Sequence, residues 1–309
     1  MGGDDGRAAG AEGWDGRAAG DGTAIVGKTP AMAVRRAPRP AVALLLSCHP
    51  EPTAAVTAVT MALAATAGRS AAGVVAVGAA VLTGQLSVGW HNDWLDAERD
   101  RRTGRSDKPV ARGLISRRTV GTAAATALVL TVPFSFLSGW RAALCHLVAV
   151  ALAWSYNARL KATVLSFVPY TVAFSLLPAF VSLGLPGHPA PPWWAVVGAG
   201  LLGTGAHFAN TLPDLDDDVA TGIRGLPHRL GRARTSVGAA LLLLAASAVL
   251  ALGPGDPGRL AIAALAAAAV VVAVAVRMGR NPGSRMPFRL TLVVAAIDVA
   301  LLLARGTAL

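Results

Sequence analysis

The chain has 309 residues, 54% hydrophobic and 15% charged, with a mean hydropathy of +0.54, a balance that excludes an ordinary water-soluble globular domain. Its formal charge of +11 would suit nucleic acid on magnitude alone, so the placement of the basic residues has to decide between a nucleic-acid patch and a membrane surface. Cys48 and Cys145 lie in apolar stretches without metal-ligand spacing and read as small core residues.

Taken in chain order, residues 1–40 carry a repeat, Asp5-Gly-Arg-Ala-Ala-Gly10 and Asp15-Gly-Arg-Ala-Ala-Gly20, with no apolar period, and read as a disordered arm. The first apolar run begins near Ala41, beyond Arg35, Arg36, Arg39 and Pro40, so a secretory signal peptide is not expected. Residues 41–309 then read as one membrane domain. Nine apolar stretches bounded by charge, Gly or Pro fall at about 43–67, 71–91, 119–137, 141–156, 163–183, 193–211, 236–253, 258–276 and 287–305. Their abundance of Ala and Gly suits close helix packing within lipid. The expected fold is therefore all-α, a polytopic transmembrane bundle of about nine spans.

If the N-terminus and the loops after spans two, four, six and eight share one side, that side carries 21 of the 28 Lys and Arg residues. The opposite side has 4, Arg69, Arg141, Arg259 and Arg305, and the remainder lie in the arm. This asymmetry assigns the basic charge to a membrane surface instead of nucleic acid and places the basic face in the cytoplasm, across what is expected to be the cell membrane.

Nine of the seventeen acidic residues share the basic face and are confined to two loops. After span two the chain reads His91-Asn-Asp-Trp-Leu-Asp-Ala-Glu-Arg-Asp100, and after span six Asn210-Thr-Leu-Pro-Asp-Leu-Asp-Asp-Asp218. Asn92, Asp96 and Asp100 are thus spaced by four, as are Asn210, Asp214 and Asp218. On a helix each triplet presents an amide and two carboxylates on one face. Such oxygen ligands suit a hard cation, and magnesium combines a few carboxylates with waters and substrate phosphates. A solvated acidic surface would explain one cluster but has no reason to repeat the pattern at the end of two even-numbered spans. Asp93, Asp216 and Asp217 lie off the spacing and serve either water-mediated metal contacts or loop capping. Pro213 limits how regular a helix the second triplet can form.

Paired motifs after the second and sixth helices of a nine-helix bundle resemble the UbiA superfamily of intramembrane prenyltransferases, from about Arg35 to the C-terminus. The resemblance extends to Arg105-Ser-Asp-Lys-Pro109 with Gly113, to Tyr156-Asn-Ala-Arg-Leu-Lys161, and to Gly222-Ile-Arg-Gly-Leu-Pro227 with Arg229-Leu-Gly231. It implies a magnesium cofactor bridging Asp96, Asp100, Asp214 and Asp218 to the diphosphate of an isoprenyl donor, with Asn92 and Asn210 completing or orienting the shell. Lys108, Lys161 and Arg229 are the first candidates for binding the diphosphate, with Arg105, Arg159 and Arg224 next; as simple cytoplasmic anchors they would satisfy the orientation rule equally well. Tyr156 is a candidate to stabilise an allyl cation through its ring face. His91 and His207 are placed to accept a proton from an aromatic acceptor, although packed core histidines are the commoner case.

The function implied is transfer of the prenyl group to a lipophilic acceptor, most often an aromatic ring in that family, at a site on the cytoplasmic side capped by the loops after spans two and six. A terpene cyclase of the same superfamily is the alternative. A transporter or structural membrane protein is disfavoured because Asp298 is the only clear acid in the middle of a span. Acceptor identity, prenyl chain length and oligomeric state are not specified by these motifs.

Overall fold

The computed structural model describes residues 40–105, 108–278 and 286–309. The expected disordered arm, Arg35, Arg36, Arg39 and Asp107 lie outside them. All regular structure among the described residues is helical: α1 (Pro40–Leu46), α2 (Pro50–Thr66), α3 (Ala71–Arg102), α4 (Arg117–Phe136), α5 (Trp140–Ala158), α6 (Val168–Ser182), α7 (Trp193–Thr211), α8 (Leu215–Ala220), α9 (Leu226–Leu252), α10 (Arg259–Met278) and α11 (Met286–Ala304).

Each apolar stretch read from the sequence contains helix, with one difference. The first stretch is a broken pair, α1 and α2, bent by 64° where Pro50 and Pro52 start the second helix and His49 adopts φ 57°. Among the described residues four helices, α3, α4, α9 and α10, are long and apolar enough to cross a membrane, or up to five spans if the bent pair is one.

Neighbouring helices pack in sequence, α2 on α3, α3 on α4 and α5, α5 on α6, α6 on α7, and α7 on α9; α11 lies against α7, α9 and α2, closing the bundle, and α10 covers α9 and α11. Small residues let α7 approach its neighbours. Its Gly198 and Gly205 face Leu250 and Leu243 of α9, while Gly203 faces Phe174 and the Tyr170 carbonyl of α6. Buried hydroxyls bond backward along their own helices, as Thr57 does to Thr53 O at 2.7 Å and Thr131 to Ala127 O at 2.7 Å. This satisfies polar groups in an apolar bundle without partners from water.

The up-and-down path gathers the C-terminal ends of α3, α5 and α7 with the N-terminal ends of α4 and α9. Helix α3 runs well past its apolar stretch, so the whole first triplet is helical. Its start is capped by Ser70 accepting from Gly73 N at 3.2 Å. Its charged end is stabilised by Arg99, Arg101 and Arg102 in the last turn, with Arg101 and Arg102 both bonded to Glu98, and Gly104 terminates it at φ 68°.

Candidate active site

The second triplet does not share one continuous helix. Helix α7 ends at Thr211, two residues before Pro213, and Asp218 lies on the six-residue α8. The two acid clusters nonetheless meet. A cavity of about 520 Å³ is lined by Asn92, Asp96, Asp100, Asp214 and Asp218, by Arg99, Arg105, Lys108 and Lys161, and by Tyr156. Its remaining wall comes from Ile223 and from the break between α1 and α2, through Leu46, His49, Pro50, Glu51 and Pro52. A larger groove of about 630 Å³ lies between α3 and α4, but no carboxylate lines it, so the chemistry selects the first cavity.

Charges alternate along the cavity wall. Lys161, from the connector after α5, grips both oxygens of Asp96 at 2.6 and 2.7 Å, and Arg99 reaches Asp96 at 3.0 Å and Asp100 at 3.6 Å. Arg105 stands 3.5 Å from Asp214, which is 49% exposed. Burial draws the Lys161 ammonium below the ordinary lysine pKa, and the negative charge of Asp96 opposes that drift. Asn92 donates to Asp96 at 3.2 Å and to Asn157 at 3.3 Å, and Asn157 is anchored on the Val88 carbonyl at 2.9 Å. The amide thereby sets the rotamer of the carboxylate one turn along.

Lys108 lines the cavity and is also paired within its wall. Its ammonium lies 2.7 Å from Asp93, a carboxylate only 1% exposed, and 2.9 Å from His49 Nε2. Asp93 is thus paired within the wall by Lys108 and His49. The same contact fixes the first-span break to α3, and Trp90 adds a bond to the Leu44 carbonyl at 2.9 Å.

Tyr156 lines the cavity with its ring edge-on to Tyr170 at 5.1 Å and to His207 at 5.6 Å. His207 is buried, bonded to Ser166 Oγ at 3.0 Å and stacked on Tyr170 at 4.8 Å; His91 is stacked on Trp154 at 3.7 Å. Neither histidine lines the cavity. The structure does not bring Asn210, Arg159, Arg224 or Arg229 into the cavity lining. Arg229 folds back to the Arg224 carbonyl at 2.9 Å.

Several contributors have little signature in the sequence. His49 and Glu51 enter through the helix break, whose signal is the pair of prolines in Cys48-His-Pro-Glu-Pro52. Arg99 sits between two motif acids, and its placement follows from the i, i+3 geometry of α3. His228 meets Asp218 at 3.2 Å across ten residues, a contact no local pattern announces.

Among the described residues no three Asp, Glu, His or Cys side chains converge tightly enough to cage a cation unaided. Open half-sites of one or two carboxylates suit magnesium completed by waters and phosphate oxygens. The donor set is all oxygen, with basic groups interleaved where an anion would be held.

A family profile described as the UbiA prenyltransferase family matches residues 53–296. Among solved structures, a UbiA homologue from Archaeoglobus fulgidus bound to GPP and Mg2+ superposes with a TM-score of 0.64 at 17% identity, covering 86% of this chain and 100% of that one. An apo UbiA homologue from Aeropyrum pernix K1 gives 0.64 at 20% identity, over 86% of this chain and 98% of its own. A structure described as digeranylgeranylglyceryl phosphate synthase gives 0.65 at 15% identity, over 87% and 99%. No curated protein sequence matches significantly. At these identities the superpositions establish the fold.

Proposed function

Because the chain belongs to the UbiA prenyltransferase family, we propose that it is an integral membrane enzyme that transfers a prenyl group from an isoprenyl diphosphate to a lipophilic, aromatic acceptor, with magnesium as cofactor. The observation that carries this reading is the convergence of Asp96, Asp100, Asp214 and Asp218, from two distant motifs, with Arg105, Lys108, Lys161 and Tyr156 around one cavity. The A. fulgidus homologue bound to GPP and Mg2+ supports the same pairing of ligand and cation.

In this reading Asp96, Asp100, Asp214 and Asp218, oriented by Asn92, hold magnesium, which when bound neutralises the departing diphosphate as a Lewis acid. Asn210, outside the lining, orients the second triplet from its side. Lys161 and Arg105 lie within reach of the same anion, and Lys108 contributes its charge from the wall. The allylic carbon–oxygen bond breaks with its electron pair leaving on the diphosphate. The acceptor carbon then bonds to the prenyl carbon, and its proton passes to the released diphosphate. The ring face of Tyr156 stabilises the transient cation, and the apolar bundle excludes water that would otherwise quench it.

The nine helical stretches cross the membrane, with the bent α1–α2 pair as one crossing, and the cavity opens to the cytoplasm. Purified protein supplied with magnesium, prenyl diphosphates of several lengths and a panel of aromatic acceptors tests the function. The expected result is an acceptor-dependent prenylated product with release of diphosphate. Acceptor-independent hydrocarbon as the sole product would overturn transfer in favour of cyclisation.

A further inference from the structure

Asp218 differs from the other acids of the cavity in what holds it. Asp96 is gripped by Lys161 and Arg99, and Asp214 faces Arg105. Asp218 instead meets a histidine, His228 Nε2, at 3.2 Å. It lies on a helix of only six residues that packs lightly on α9, so its position needs support from outside α8.

The first turn of α9 is well placed to give that support. Ser166 Oγ accepts from Leu226 N at 3.0 Å, and Thr235 Oγ1 donates to the Pro227 carbonyl at 2.7 Å. Gly225 lies so close to the α5–α6 connector that a Cβ there would stand 2.7 Å from the Lys161 carbonyl and 2.8 Å from Ser166 Oγ. The backbone carrying His228 is therefore braced against the segment that carries Lys161.

We propose that His228 is a positioning residue for Asp218, donating its Nε2 proton to Oδ2 so that the other carboxylate oxygen is held toward the cavity. The His228 side chain is 3% exposed and its Nδ1 is buried without a hydrogen-bond partner. A proton on Nδ1 would be an unsatisfied buried donor, whereas a bare lone pair costs less, so the geometry selects the neutral Nε2–H tautomer. A neutral donor orients the carboxylate without cancelling its charge. That distinguishes it from the ammonium on Asp96 and leaves Asp218 fully available to a cation. Partners of this kind typically contribute about 10- to 100-fold in metal affinity.

This inference rests on the magnesium–diphosphate reading of the cavity. Thermal shift of the detergent-purified protein with a geranylgeranyl thiodiphosphate probe, titrated with MgCl2, gives the half-saturating magnesium concentration. His228→Leu and His228→Asn, the second polar but too short to place a donor at Nε2, should both raise it about 10-fold or more. His228→Gln, whose amide nitrogen reaches the Nε2 position, should restore it to within about 3-fold of the parent. Equal values for the parent, Asn and Gln proteins would overturn the positioning role, as would equal impairment in all three variants. If the parent itself shows no magnesium-dependent shift, the reading of the cavity fails first.

Discussion

At the residue scale, the four motif aspartates are expected to serve cation binding more than packing. Asp96→Ala and Asp214→Ala should each lower turnover by about 1000-fold or more while leaving expression and detergent melting behaviour close to the parent. The double variant should be little worse than either single one, because residues that act as one unit lose their function together. Product formation by the purified variants checks this; a folded single variant with near-parent activity removes that residue from the site. The acids were legible in the sequence because their i, i+4, i+8 spacing is local and repeats. The partners were not. Lys108 stands in a matched segment, yet its pairing with Asp93 and His49 is set by three elements meeting in space. Arg229 looks equally favourable in sequence, but its guanidinium is drawn to a backbone carbonyl five residues back.

At the scale of elements, apolar length sufficed to find the helices, and what escaped was where they break. The stretch 43–67 reads as one span because its composition is continuous, whereas Pro50 and Pro52 reset it as a second helix and turn its connection inward. Pro213 had the same effect on the second triplet, and there the sequence did signal the interruption. The break is held by a close approach of backbones: a Cβ on Gly89 of α3 would lie 2.1 Å from the Cys48 carbonyl oxygen. Gly89→Ala therefore forces the break away from α3 and strains the His49–Asp93–Lys108 contact. Overpacking of this kind costs about 1–3 kcal/mol. We expect a clearly lowered melting temperature in detergent, together with loss of activity, while Gly113→Ala, at a position with open space but φ 69°, acts only through its own loop. An unchanged melting temperature for Gly89→Ala would show that the first-span break is not fixed in this way.

At the scale of the whole molecule, the asymmetry of basic residues predicts that residues 92–118 and 210–235 face the cytoplasm. Single cysteines placed in these loops, in a background lacking Cys48 and Cys145, should resist an impermeant maleimide added outside intact cells and react once the membrane is opened. Labelling of either loop from outside would reverse the topology. The central claim, that metal and diphosphate occupy the cavity together, is tested most directly by their linkage. Unit charges of like sign about 4 Å apart repel by roughly 4 kcal/mol at an effective dielectric of 20, so a diphosphate set among ionised aspartates is opposed despite the neighbouring basic groups. Magnesium should relieve that repulsion, and donor must then tighten magnesium by the same factor that magnesium tightens donor. Isothermal titration of the purified protein with geranylgeranyl thiodiphosphate, in magnesium and in chelator, measures that factor. The account predicts at least about 100-fold tighter binding with magnesium, equivalent to roughly 3 kcal/mol, and a much smaller gain for the corresponding monophosphate; equal donor affinity in magnesium and in chelator would contradict it.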